Sequence, residues 1–493
     1  MMQLKYHIVQ LGCQMNISDG ERVQKVLDEL GFVYTELEEE AHLLGVIACS
    51  VRQKGIDKVY NKVSKWNKWK NKKSLITFVS GCVLPADKER FLKLFDMVFP
   101  MSELPELPDM IRQYGVVTPA GVQNLDVGLK DLKQANDNFN PADFRIVSVS
   151  INDKPIEISS VTESNKTIGE FWNIKPKYGS EFEAYIPIQN GCNKFCTFCA
   201  VPYTRGREVS RPSDEIINEL KQLVSKGFKS ITLLGQNVNS YGLDKKGKEL
   251  TFADLLKEIG KFGDESEHEF WVYFTSPHPR DMGDDVLEVI ADYTCLAKQI
   301  HIPVQSGDDR VLIRMNRKHS VEKYRSIIHS IKRLLPEATI FTDIIVGFTG
   351  ETEEEIENTR KIMEEFKYNM AYIAQYSPRP GAASSRWIDD IPKEVKKERY
   401  HSLTGELMKH SLEYNKGLIG KNFKVLVRGE DRKEGFLSAL TEGKIIVRFA
   451  SENTDLIGTF VHVKVTSTAP FSTEGELIEV LIETPVSSVS LET

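Results

Sequence analysis

The chain has 493 residues, 41% of them hydrophobic and 27% charged, a balance that excludes a fibre or a wholly disordered protein. Its length exceeds what one core usually serves and predicts roughly two to four domains. The formal net charge of -7 argues against wholesale non-specific nucleic-acid binding, though not against a local basic patch.

The start, Met1 to Cys13, lacks the charged-then-apolar order of a signal peptide, and no stretch approaches the roughly 20 apolar residues of a membrane span. A cytoplasmic location without membrane contact is the expectation. From Tyr6 to Phe99 short apolar runs (HIVQLG, LLGVIA, LITFVSG) alternate with amphipathic stretches, the pattern of a β-α-β-α-β unit with a parallel sheet. Ser18 and Glu21 have capping-box spacing and Gly31 closes the same stretch, which predicts a helix between them. Between Lys58 and Lys73 lie seven lysines and two tryptophans, with Val59, Val63, Trp66 and Lys70 at helical spacing. A solvated helix face and an RNA-phosphate contact are evenly balanced readings of that segment.

Three of the seven cysteines, Cys13, Cys49 and Cys82, each follow one of these strands, in LGCQMN, IACSVR and SGCVLP. Neighbouring parallel strands would bring such ends together at one sheet edge as a convergent three-thiolate site. The bland alternative is three unrelated core cysteines. An odd cysteine count points to metal or redox chemistry rather than a disulfide framework.

Residues 101 to 180 are polar and weakly periodic, in segments such as KQANDNFNPADF and NDKPIEISSVTESNK, and read as a linker with inserted structure. Six strand-helix alternations follow, with strands YIPIQ, SITLLG, FWVYFTS, QIHIPV, TIFTDIIVGF and MAYIAQY. They predict a parallel sheet curled into an open barrel whose site lies at the carboxyl ends of its strands. Thr352 and Glu355 form a capping box on one of its helices. A helix over 393–416 comes next, then five short strands that fit a small antiparallel barrel of a kind that often binds nucleic acid. The expected fold class is α/β: an N-terminal parallel α/β sheet domain, a central open (β/α)6 barrel and a C-terminal antiparallel β-barrel.

Cys192, Cys196 and Cys199 make a C-x-x-x-C-x-x-C loop in NGCNKFCTFCAVPYTRGRE, directly after the first barrel strand. Three soft thiolates on one tight loop can hold three irons of a four-iron cluster and leave the fourth open. Structural zinc is the alternative, but it wants four ligands, and no nearby histidine or cysteine completes the trio. Cys295, in VIADYTC, reads as core filler.

The set GCQMN, CSVR, GCV, NGCNKFCTFCAVPYTRGRE with GREVSRP, LLGQNVNSYG, PVQSGDDRVLIRMNR, TDIIVGF and YSPRPGA resembles the radical S-adenosylmethionine (SAM) methylthiotransferases, in particular those acting on isopentenyl-adenosine of transfer RNA. The resemblance spans nearly the whole chain outside 101–180. It implies residues 1–118 as a methylthiotransferase domain, 119–177 as linker or insertion, 178–416 as the radical SAM core and 417–485 as a TRAM RNA-binding domain. It assigns an auxiliary 4Fe-4S cluster, where sulfur is held for catalysis, to Cys13, Cys49 and Cys82, and the radical 4Fe-4S cluster to Cys192, Cys196 and Cys199. Gln236, Asn237, Gln305, Ser306 and Asp343 become candidate SAM contacts, each of which could equally be a turn or strand-end residue.

The family uses two SAM molecules, one as methyl donor and one as radical source, to methylthiolate carbon two of the adenine ring. It further implies tRNA as substrate, an electron donor such as flavodoxin or ferredoxin, and a monomer. Two rival readings stand beside it: the same architecture acting on a ribosomal-protein aspartate or on threonylcarbamoyl-adenosine, and a non-catalytic iron-sulfur RNA-binding protein. Gln14-Met15-Asn16 resembles the isopentenyl-adenosine group. The chain departs from the family at Ile47-Ala48, where asparagine and threonine are usual, at Leu84-Pro85, and at Thr349, where proline is usual; no cluster cysteine is lost.

Overall fold

The computed structural model describes residues 3–49, 53–113 and 168–481. In the N-terminal part, β1 (Lys5–Gln10), β2 (Val33–Tyr34), β3 (Leu43–Cys49), β4 (Ile76–Cys82) and β5 (Met97–Val98) form one sheet in the order β2-β1-β3-β4-β5. All its pairings are parallel. Strands β3 and β4 are buried along their whole length, as expected of central strands covered on both faces.

Helix α1 (Gln14–Glu29) begins at Cys13, not at Ser18. The Asn16 side chain accepts a hydrogen bond from Cys13 N (3.3 Å) and donates one to Ala48 O (2.9 Å). A contact to the next strand thus sets the helix start, and only the backbone of Ala48 is used. Ser18 is instead buried inside the helix and accepts a hydrogen bond from Arg22 Nη1 at 2.7 Å. The other end is as predicted: Gly31 has φ 84° and Phe32 N donates to Leu27 O at 3.0 Å, a glycine-terminated helix end.

Helix α2 (Gln53–Lys70) buries Val59, Val63 and Trp66. Its lysines serve the fold: Lys62 and Lys65 pair with Glu38, Lys70 with Asp96 (2.6 Å), and Lys73 donates to Ala41 O (2.8 Å). These contacts favour the structural reading of the basic stretch. Ile168, Phe171 and Trp172 fall in the segment expected as linker, yet they pack with Leu104 and Leu107 in the N-terminal core. The two polar segments KQANDNFNPADF and NDKPIEISSVTESNK lie outside the described residues.

The central part holds six parallel strands in two groups of three: β6 (Glu183–Pro187), β9 (Ser230–Leu234) and β10 (Trp271–Phe274), then β11 (Gln299–His301), β12 (Thr339–Val346) and β13 (Met370–Gln375). A bridge from Val272 to Leu296 joins the groups, giving the open barrel. A small hairpin of β7 (Gln189–Asn190) and β8 (Val209–Ser210) frames the cysteine loop. Alternate residues such as Ala184, Ile186, Ile231 and Leu233 pack outward against the helices, and Cys295 is part of that core.

After the helix Lys393–Lys416, strands β14 (Asn422–Glu430), β15 (Phe436–Thr441), β16 (Ile446–Ala450), β17 (Phe460–Ala469) and β18 (Ser472–Val480) close into a barrel in the order β14-β15-β16-β18-β17. One pairing, β16 with β18, is parallel, a departure from the all-antiparallel expectation. This barrel docks under the amino ends of the central strands, where Trp271 meets Phe460 (ring centroids 4.7 Å apart) and Thr339 Oγ1 donates to Gly443 O at 2.7 Å. Phe460→Ala is expected to cost about 3 kcal/mol; limited proteolysis should then release the C-terminal barrel faster, and an unchanged digestion rate would contradict the docking. Among the described residues no helix is long and apolar enough to cross a membrane.

Candidate functional site

Cys49 and Cys82 end β3 and β4 and are partners in the ladder, while Cys13 follows β1 as the residue that starts α1. Two glycines permit the crowding. A Cβ on Gly12 (φ 138°) would lie 2.8 Å from Cys49 Cβ, and one on Gly81 (φ 97°) would lie 2.6 Å from Ala48 O. Cys13 is exposed, Cys49 and Cys82 are buried. Burial pushes the Cys82 thiol up to about 12, with Cys49 and Cys13 raising it further and Arg205 opposing. The three sulfurs therefore share one electrostatic field. Soft thiols in such a pocket lose their protons to a coordinating iron, so the trio fits a cluster.

The second trio sits on the loop after β7. Gln236 Oε1 accepts from Gly191 N at 2.5 Å, Cys192 N donates to Gly206 O (3.2 Å), Thr197 N to Met315 O (3.0 Å) and Cys199 N to Cys196 O (3.0 Å). Arg317 Nη1 donates to Cys196 Sγ at 3.5 Å. Burial raises the Cys192 thiol to about 11 and the Cys199 thiol to about 12, and the neighbouring sulfurs add to both. Among the described residues no three His, Cys, Asp or Glu side chains come close enough to share one metal ion. A closed structural zinc site wants four ligands, whereas three soft thiols on one loop suit a four-iron cluster with one open iron.

The other candidate residues divide. Asn237 is buried beside the cysteine loop; its Nδ2 donates to Ser240 Oγ (2.7 Å) and Asp281 Oδ2 (3.3 Å). Gln236 holds the loop itself. Gln305 (φ 70°) is pinned by its backbone to Asp343 and Ile345. Ser306 is fully buried, with its Oγ 3.3 Å from Thr359 Oγ1. Asp343 bonds His301 Nε2 at 2.8 Å.

Sequence reasoning missed a polar cradle around this loop. Among the described residues, Gln189 Oε1, Glu208 Oε2, Asn237 Oδ1, His278 Nε2 and Arg317 Nε are buried without a hydrogen-bond partner. Ser240 and Asp281 tie the group together, through Gln189 (3.2 Å) and an ion pair with Lys194. Buried orphan donors and acceptors call for a polar ligand, and this set suits amino, carboxylate and hydroxyl groups of one zwitterionic molecule. Lys194 between the cysteines and Glu208 in GREVSRP were the available signals.

One side chain links the cysteine loop's flank to the N-terminal trio across the interface of the two domains. Arg205, which ends the short helix Val201–Arg205 after Cys199, donates from Nε to Cys82 Sγ at 3.0 Å, pairs with Asp19 and reaches Asn190 Oδ1 (3.3 Å). Nearby, Glu21 Oε1 accepts from Gly179 N at 2.9 Å. Burial pushes that carboxyl from 4.5 up to about 7, against the Gly179 bond and Arg22. The folded state then holds a proton more firmly than the unfolded chain, so stability falls as pH rises from 4.5 to about 7. Glu21→Gln should remove that slope and raise stability at pH 8 by about 3 kcal/mol; a thermal midpoint that tracks pH identically in both proteins would refute this.

A cavity of about 290 Å³ occupies the barrel interior above the C-terminal barrel, lined by Tyr185, Tyr273, Phe341, Tyr372, Arg428 and Lys444, and by Gln14 beside Cys13. The Lys444 ammonium lies 4.2 Å over the Tyr273 ring, and burial lowers its pKa to about 8. A space of this size, aromatic with a few charged groups, suits a flat polar ring.

Residues 186–363 match the Radical SAM superfamily, 5–100 the Uncharacterized protein family UPF0004 and 416–478 the TRAM domain. A tRNA-2-methylthio-N(6)-dimethylallyladenosine synthase of Carboxydothermus hydrogenoformans is 35% identical across 97% of this chain and 100% of its own length. That of Dictyoglomus thermophilum is 36% identical across 96% of this chain and 98% of its own. Among solved structures, the radical S-adenosylmethionine methyltransferase TsrM from Kitasatospora setae, with cobalamin and a 4Fe-4S cluster bound, superposes with a TM-score of 0.50 at 11% identity, covering 89% of this chain and 77% of that one. At that identity the likeness concerns the fold alone.

Proposed function

We propose the following site assignments from one premise: this chain belongs to the tRNA-2-methylthio-N(6)-dimethylallyladenosine synthase family. It is a radical SAM tRNA methylthiotransferase that methylthiolates carbon two of N(6)-isopentenyladenosine next to the anticodon, using SAM and 4Fe-4S clusters. Cys13, Cys49 and Cys82 hold the auxiliary cluster; Cys192, Cys196 and Cys199 hold the radical cluster. When bound, these groups supply the radical chemistry that no side-chain base can perform at an unactivated C–H bond.

The chain's own residues bind and orient. Lys194, Glu208 and Asn237 offer one basic, one acidic and one neutral polar group to the methionine and ribose ends of SAM, and Gln236 fixes the loop that carries the cysteines. Ser306 and Asp343 play lesser parts, since their side-chain oxygens are already engaged by the fold, and Gln305 is held there by its backbone. The domain divisions 1–118, 119–177, 178–416 and 417–485 remain our working description, with the helix Ile168–Asn173 packed on the first. The substrate is tRNA; a flavodoxin- or ferredoxin-type electron donor, a monomeric state and a cytoplasmic location complete the proposal.

The observation that carries the site reading is the Arg205–Cys82 contact, because it joins the loop of one trio to a sulfur of the other. Reconstitution with isopentenylated tRNA tests it: methylthio-adenosine and deoxyadenosine should both form, and deoxyadenosine with no methylthio nucleoside would reject the substrate. The same enzyme offered a ribosomal-protein aspartate should leave it unmodified.

A further inference from the structure

We propose that Arg205, oriented by Asp19, is a positioning residue that tunes the reduction potential of the group held by Cys13, Cys49 and Cys82, and couples it to the loop that holds the other trio. The inference rests on the site reading above. Arg205 is buried, and three of its nitrogens are engaged: Nε on Cys82 Sγ at 3.0 Å, Nη2 on Asp19, and Nη1 on Asn190 Oδ1 at 3.3 Å. Its backbone is fixed as well, since Asn190 Nδ2 donates to Arg205 O at 3.0 Å. Both ends of the connection are short. The residue after it, Gly206, accepts the Cys192 N–H, and Cys199 lies six residues before it.

An interface ion pair would satisfy the charges without touching sulfur. Here the guanidinium edge points at the thiol that ends β4, and the carboxylate stands behind it. Asp19 is wholly buried, and its Oδ1 has no partner among the described residues, so its charge is not dispersed elsewhere. A hydrogen bond and a positive charge on a ligand sulfur favour the reduced cluster and raise its potential, whereas a buried carboxylate does the opposite. The two residues therefore act on the cluster with opposite signs.

The test uses the full chain with Cys192, Cys196 and Cys199 all replaced by alanine, so that only the Cys13, Cys49 and Cys82 site can load iron. Its potential is read by electron paramagnetic resonance during a redox titration. Arg205→Gln should lower the reduced-to-oxidised ratio at fixed poise at least tenfold, about 59 mV for one electron. Asp19→Asn should shift it the other way, a pair of opposed shifts that a merely structural role would not produce. Full iron content with unmoved potentials in both single variants overturns the proposal. If Arg205→Gln fails to retain iron, Asp19→Asn decides it by its upward shift, and an unmoved or lowered potential overturns the proposal. A parent protein that loads no iron refutes the site reading itself, and is told apart by iron analysis before any titration.

Discussion

Cys196→Ala abolishes both deoxyadenosine and methylthio-adenosine formation, because two remaining thiolates on the loop do not hold a four-iron cluster with an open iron. Arg317, which donates to Cys196 Sγ, is left beside an empty pocket. Cys49→Ala acts on the other side of the interface. It removes one sulfur of the sheet-edge trio, so uncoupled deoxyadenosine formation persists while sulfur insertion falls below detection. Iron content, deoxyadenosine by chromatography and nucleoside mass spectrometry separate the two outcomes, with circular dichroism to check folding. Normal methylthio-adenosine production by Cys49→Ala would make the N-terminal cysteines structural and the two-cluster mechanism wrong.

The second large effect is on stability. Glu219 lies between two buried guanidinium groups: Arg211, which it pairs with directly, and Arg22, fully buried and 4.0 Å away. It also accepts from Tyr178 Oη at 2.8 Å. Burial raises the carboxyl, but Arg211 and Arg22 outweigh it and hold it below the usual carboxylate range. Glu219→Ala leaves the buried Arg22 without its ion pair and Arg211 with Glu215 alone, which costs about 3–5 kcal/mol. Glu219→Gln keeps an acceptor but not the charge and should lie between. A urea midpoint for Glu219→Ala within about 1 kcal/mol of wild type would mean that the cations find other partners.

What could be read from the chain and what could not differ in range. The cysteine loop, the six barrel strands and the capping box at Thr352 are local patterns, and each lies where its spacing put it. The convergence of Cys49 and Cys82 also followed from a local rule, the placement of both at strand ends. Ser18 misled because its serine-glutamate spacing competes with Asn16, whose partner Ala48 is 32 residues away. The contact of Arg205 with Cys82 spans 123 residues, and no periodicity encodes it. The basic stretch 58–73 admits two readings in sequence, and Glu38 and Asp96 beside its lysines decide between them. The five C-terminal strands were legible as a module, but their docking on Trp271 and Tyr273 was not, because an exposed-looking aromatic in a strand gives no hint of its cover. Removing that barrel would bare those aromatics, so it is not the separable appendage that strand counting suggests.

An open barrel leaves two unpaired strand edges, at β6 and β13, and such edges template association between chains. Each has a guard from elsewhere in the sequence. Helix α1 lies along β6, with Ser18 Oγ reaching Tyr185 O at 3.5 Å. The helix Lys393–Lys416 brackets β13, with Ser411 Oγ on Asn369 O at 2.7 Å and Lys396 Nζ on Tyr376 O at 3.1 Å. The central domain expressed without its amino-terminal neighbour would keep the second guard and lose the first. Its fate in solution should then be governed less by its own folding energy than by sheet-to-sheet aggregation along one exposed strand.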